Sequence, residues 1–235
     1  MAYLDFDTLL IDNQEFENVD LIHTFRFFSE LGIKHFIFSY EVDCDRTTVP
    51  LALSKLKRFH KHLQYCKCRG AQIHSTLCPF LTERLVTHDM LKRLTFEDSN
   101  CLFLSLPLFV GDEWIASDLN FLLYKQKIYP VFTSFERNLQ TNSAALLNCI
   151  SHISSAVYAI DVMFLTSDEG FAAAMDLIRK GCRILPCVSK HLSEYAGIQK
   201  SYLHLANRVA RNDYVDLCKC FNYTKSFLLL SSQLR

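Results

Sequence analysis

The sequence predicts an α/β fold in which seven strand–helix units close, or nearly close, into a barrel. Short apolar runs rich in β-branched and aromatic residues alternate with longer amphipathic stretches. That alternation is the pattern of parallel strands joined by helical crossovers. No Pro/Gly/Ser-rich linker, repeat or low-complexity tract divides the 235 residues, so a single domain over 1–235 is expected, a common size for such barrels. The apolar fraction of 50% supports a large core and argues against disorder.

The candidate strands, in order, are "YLDF" (3–6), "KHFIFS" (34–39), "AQIHST" (71–76), "CLFLSL" (101–106), "YPVFT" (129–133), "AVYAID" (156–161) and "CRILPCV" (182–188). Between them, "NVDLIHTFRFFSELG" places Leu21, Ile22, Phe25, Phe28 and Leu31 on one helical face, with Gly32 as a left-handed stop. "PLALSKLKRFHKHLQ" starts a helix at Pro50, where the missing N–H costs little. "SDEGFAAAMDLIRKG" has acids early, bases late and Gly181 at its end, matching the helix dipole. The segment at about 200–234 reads as terminal helices.

Lys plus Arg and Asp plus Glu both number 25. This balance provides no long-range field to draw in nucleic acid or an anionic membrane. The most apolar region, around 144–165, is interrupted by Asn148, His152 and Asp161, so no membrane span is expected. The opening "MAYLDFDTLL" lacks the basic start of a secretory signal. The ten cysteines are therefore expected to be reduced, and the chain cytoplasmic. The pairs Cys66/Cys68 and Cys218/Cys220 are C-x-C, a poor fit to the usual zinc spacing.

In β/α barrels function sits at the C-terminal ends of the strands. Acids gather at those positions: Asp7 and Asp12 after the first strand, Glu41, Asp43 and Asp45 after the second, and Glu136 beside Arg137 after the fifth. His191 and Glu194 follow the seventh. Carboxylates from several strand ends can together hold a hard cation, or they can simply face solvent. No Walker loop, G-x-G-x-x-G, G-x-S-x-G or H-E-x-x-H is present. His60 and His62, among Lys57, Arg58 and Lys61, read as a solvated helix face.

The order of these loops resembles the PHP (polymerase and histidinol phosphatase) superfamily, in particular the manganese-dependent tyrosine phosphatases of bacterial capsule and exopolysaccharide clusters. "LDFDTLL" (4–10) lies where the family's opening "IDxHxH" belongs, and "GIKHFIFSYEV" (32–42) is similar to "GITHIIATPHH". "GAQI" (70–73) is similar to "GxEI", "LSLPLF" (104–109) to a short strand-and-proline segment, "PVFTSFERN" (130–138) to "PIIAHPERN", and "CVSKH" (187–191) to "ASDAH". The resemblance covers roughly residues 3–195. It implies a distorted seven-stranded, TIM-barrel-related β/α barrel over about 3–195, with C-terminal helices.

On this alignment the family's metal positions fall at Asp7 and Leu9, Glu41, Gln72, Ser134 and Ser189, with His191 kept. Leu9 cannot ligate, and Gln72, Ser134 and Ser189 replace ionisable ligands with neutral ones, so these positions read as lost. Asp7, Glu41 and His191 remain as residual metal candidates, and Arg137 and His191 as catalytic candidates. Arg137 either braces its loop through Glu136 or Asp168 or grips an anionic ligand bidentately. A two-ion phosphoryl clamp needs more ligands than these. The resemblance therefore implies a catalytically inactive pseudophosphatase with no cofactor, acting as a binding or regulatory module for polysaccharide export or its tyrosine kinase. The alternative is a metal-dependent phosphoesterase with a reduced site that uses Mn or another divalent metal.

Overall fold

A computed structural model of the chain describes residues 8–12, 21–66, 69–82, 84–87, 89–107, 113–141, 150, 153, 155–189, 200–201, 203–204, 224 and 228. Seven parallel strands form one sheet: β1 (Thr8–Asp12), β2 (His35–Val42), β3 (Gln72–Pro79), β4 (Cys101–Ser105), β5 (Tyr129–Thr133), β6 (Val157–Asp161) and β7 (Arg183–Ser189). The strand order is β3-β2-β1-β7-β6-β5-β4. Every strand thus lies beside its neighbour in sequence, and β7 returns to pair with β1. The remaining seam, between β3 and β4, is held by a bridge between Phe80 and Ser105 and by the Leu81 N–H donating to the Ser105 carbonyl at 2.9 Å. The sheet is therefore a nearly closed barrel, as the alternation predicts.

The seam coincides with an irregular crossover. Helices α1 (Leu21–Glu30) and α2 (Val49–Cys66) follow the first two strands. Between β3 and β4, however, the described chain forms three 3-10 turns at Leu85–Thr87, Leu91–Leu94 and Phe96–Asp98. Past β4, α3 (Glu113–Asn120) runs into a π-helical turn at Phe121–Gln126 that ends at left-handed Lys127. Helix α4 (Phe135–Thr141) follows β5, and α5 (Val162–Leu165) and α6 (Asp168–Arg179) follow β6. The Ser167 hydroxyl caps α6 by accepting from the Gly170 N–H at 3.0 Å. Gly32 and Gly181 adopt positive φ as helix stops.

Strand periodicity separates two apolar layers. Leu10, Ile37, Phe103, Val131, Ala159 and Leu185 fill the barrel interior, joined by Leu228 from the C-terminal region. The alternate residues, such as Ile11, Phe36, Phe38 and Phe132, pack outward against the helices. Phe25 of α1 meets Phe36 edge-on at 4.9 Å between ring centroids, a geometry worth about 0.5–1.5 kcal/mol beyond burial. Buried on both sides, the strands read as continuous apolar runs.

Two sequence expectations are corrected here. The first described strand is "TLLID" (8–12), a run expected beyond the end of that strand, whereas the expected "YLDF" lies outside the described residues. Leu9, Leu10 and Ile11 are fully buried and pair with β2, so the run taken for a strand-end loop is itself the strand. Ile22, placed on the apolar face of α1, is 58% exposed, whereas Phe25, Phe28 and Leu31 are buried as expected. Of the terminal-helix segment, Lys200, Ser201, Leu203, His204, Thr224 and Leu228 are described, all helical. Among the described residues no helix is long and apolar enough to cross a membrane. Cys44, Cys78, Cys101, Cys182 and Cys187 form no disulfide, and the side chains of both C-x-C pairs lie outside the described residues.

Candidate functional site

The barrel interior changes character at the C-terminal ends of the strands. One step of two residues past the apolar interior positions, the chain places Ser39 in β2, Ser105 in β4, Thr133 in β5 and Asp161 in β6, all buried. Asp12 and Ser189 occupy the corresponding positions of β1 and β7 and are partners in register. A core does not need buried polar groups, and each must be hydrogen-bonded to be tolerated. Their gathering at one end marks the barrel mouth as the candidate site.

The hydrogen bonds at the mouth tie strands together across the barrel as well as along the sheet. Glu41, near the end of β2, accepts from the Ser105 hydroxyl at 3.4 Å across the β3–β4 seam. Thr133 Oγ1 lies 3.3 Å from Cys78 Sγ and donates to the Leu104 carbonyl at 3.4 Å. Ser134 follows, buried and with φ of 47°. A non-glycine residue in this region costs on the order of 1–2 kcal/mol, the kind of strain that persists where a strand end must turn sharply. Arg137 N–H donates to the Ser134 carbonyl at 3.2 Å, closing the turn into α4. Asn138 then donates its side-chain amide to the Pro107 carbonyl at 3.1 Å, anchoring α4 to the exit of β4.

Two acids meet behind this turn. The Asp161 N–H donates to Glu136 Oε2 at 3.1 Å, and Asp161 Oδ1 accepts from the Met163 N–H at 2.7 Å, capping α5. Burial pushes the Glu136 carboxyl up to about 7, and the Asp161 carboxylate adds to the rise. Backbone hydrogen bonds and the Arg137 charge oppose it without cancelling it. Glu136 therefore exchanges a proton near neutrality, a property suited to acid–base work.

The residues singled out from sequence are only partly brought together. Glu41, Ser134 and Ser189 stand at C-terminal strand ends, as expected. Leu9 does not: it lies inside β1 opposite Phe36, in the layer between barrel and helices. Gln72 is the first residue of β3, exposed and opposite His35, whereas Glu41 pairs with Cys78 at the other end of the same ladder. Six residues of strand separate those pairings, roughly 20 Å, so Gln72 belongs to the opposite end of the barrel. Asp7 and His191 lie outside the described residues.

Sequence reasoning passed over Ser105, Thr133, Cys78 and Asp161. The signal was present as a Ser, Thr or Asp two positions after an interior residue, in "FLS", "VFT" and "AID". Among the described residues no three His, Cys, Asp or Glu side chains group closely enough to hold a metal ion. Imidazoles are found instead at the other end: His35 and His74 approach within 3.4 Å near the start of β2 and β3, and Glu97 sits 2.8 Å from His74. The described residues by themselves do not fit a two-ion cluster.

No protein-family model matches the chain, and no curated protein does. Among solved structures it is similar to a chain from the crystal structures of YwqE from Bacillus subtilis and CpsB from Streptococcus pneumoniae, unique metal-dependent tyrosine phosphatases. The TM-score is 0.53 at 14% identity, covering 70% of this chain and 69% of the other. A phospho-2-dehydro-3-deoxyheptonate aldolase from Thermotoga maritima gives a TM-score of 0.44 at 12% identity, covering 88% and 71%. The first likeness is one of fold: a β/α barrel.

Proposed function

We propose that the chain is a PHP-type barrel that binds at its mouth without hydrolysing, a pseudophosphatase serving as a binding or regulatory module. The observation that carries this reading is what the polar groups of the mouth already do. Glu136 holds the end of β6, Asp161 caps α5, Glu41 accepts across the seam, and Asn138 anchors α4. Carboxylates committed to backbone N–H groups have less to offer a metal or a transferring phosphoryl group. Arg137, half-buried beside Glu136, is the residue to meet an anionic ligand. The resemblance to capsule-cluster phosphatases makes a tyrosine kinase or a polysaccharide-export component the partner of first choice, and a cytoplasmic setting its natural place.

A second reading, a metal-dependent phosphoesterase of the tyrosine-phosphatase type, draws on Asp7, Glu41 and His191. It is favoured by the near-neutral Glu136 carboxyl. Assay of the full chain with p-nitrophenyl phosphate and a phosphotyrosine peptide, with and without Mn²⁺, separates the two. The pseudophosphatase reading expects no turnover above the blank and no stoichiometric metal on elemental analysis. Mn²⁺-dependent turnover lost in His191→Ala would establish the second reading instead.

A further inference from the structure

The chain is charge-balanced as a whole, yet the outer face of α2 is not. Lys55, Lys57, Arg58 and Lys61 are all exposed, and Val49–Cys66 contains no acid. Some exposed bases elsewhere are paired, as in Arg26–Glu30 and Lys180–Asp176. Among the described residues none of the four α2 bases makes an ion pair. Lys57 and Lys61 stand four apart, and Lys55–Arg58 and Arg58–Lys61 three apart, spacings at which like charges repel. The buried side of α2 is formed by Ala52 and Leu63, flanked by the half-buried Leu53, Leu56 and Phe59, so nothing in the fold requires the unrelieved charge.

The ends of the same stripe are apolar and exposed. Leu51 is 51% and Tyr65 78% exposed, and both fall in line with Lys55, Arg58 and Lys61 at helical spacing. We propose that this face of α2 is a docking surface for an acidic protein segment carrying apolar side chains among its carboxylates. Charge complementarity requires the acids, and Leu51 and Tyr65 require the apolar contacts. Lys55 to Lys61 span only about 9 Å of helix axis, too short for the run of phosphate contacts that sustains nucleic-acid binding. Two apolar residues separated by four bases do not make the continuous apolar face that enters a lipid interface. The surface lies on the flank of the barrel, so it is independent of what happens at the mouth.

The test uses the full chain and a labelled helical peptide of glutamate and leucine, read by fluorescence anisotropy. Lys55→Glu/Arg58→Glu/Lys61→Glu is expected to weaken binding at least about tenfold, while Lys92→Glu/Arg93→Glu, on another surface, leaves it unchanged. Leu51→Ala/Tyr65→Ala is expected to weaken it several-fold. Circular dichroism checks that each variant folds, and Lys55→Gln/Arg58→Gln/Lys61→Gln replaces the reversal if that one does not. Absence of binding, equal binding by the α2 charge variant, or indifference to Leu51→Ala/Tyr65→Ala overturns the proposal. Displacement of the peptide by lower concentrations of oligo-deoxythymidine or of phosphatidylglycerol vesicles overturns it too, in favour of a nucleic acid or a membrane.

Discussion

Replacing Glu136 by Gln tests how the barrel mouth handles a buried charge. The carboxyl is 7% exposed and is raised from 4.5 to about 7. At 1.36 kcal/mol per unit, ionising it inside the fold costs on the order of 3 kcal/mol. The folded state holds this proton where the unfolded chain has released it. The associated stability is therefore fully present below pH 4.5, falls as pH rises to about 7, and is gone above that. Gln keeps an oxygen for the Asp161 N–H and cannot ionise. Between pH 5 and pH 8, Glu136→Gln should gain on the wild type by about 2.5 kcal/mol, or roughly 5–10 °C in Tm for a chain of this size. Thermal melts of both proteins across pH 5–8 measure this directly, because histidine titrations common to the two cancel in the difference. If the two Tm curves run parallel through that window, the proton is not on Glu136 and the account of the mouth is wrong.

Gly170→Ala should be strongly destabilising, by about 1–3 kcal/mol or more, because a Cβ there would meet the Phe164 carbonyl oxygen at 2.0 Å and its carbon at 2.6 Å, both backbone atoms; chemical denaturation reads the loss. Tyr158→Phe removes the hydroxyl that donates to the buried Ile150 carbonyl at 2.6 Å, and the midpoint of a urea titration should fall by the equivalent of about 1–2 kcal/mol. Lys127 is exposed with φ of 58° at the end of the π-helical turn, where its N–H donates to the Leu122 carbonyl. Lys127→Gly should raise Tm, since glycine adopts that conformation without the penalty of about 1 kcal/mol that a side chain incurs.

Much of the architecture was legible because parallel strands buried on both faces, and helices buried on one, leave different periodicities in a single sequence. Six of the seven strands fall within a few residues of their expected places for this reason. The first strand was displaced because a continuous apolar run such as "TLLI" has no internal period to set its limits. Its pairing with β2 on one side and β7 on the other decides them. The same displacement carried Leu9 to the mouth on paper, whereas the register holds it in the outer core. Gln72 was drawn to the site by its neighbours in sequence, but a motif match does not say which end of a strand it occupies. Only the ladder with β2 does.

By itself, then, the sequence determined that this chain alternates strands with helices around one large apolar core, and that acids and hydroxyls follow the apolar runs. Both are local properties, written in residue type and spacing. Tertiary structure alone decided which of those polar residues meet. Glu136 has Arg137 next to it in the chain, which suggests a stabilised charge, but the fold buries it against Asp161, 25 residues away. Desolvation and a like charge then outweigh the adjacent cation and hold the carboxyl near neutrality. The balance between those terms depends on distance and burial through space, quantities that no stretch of sequence contains.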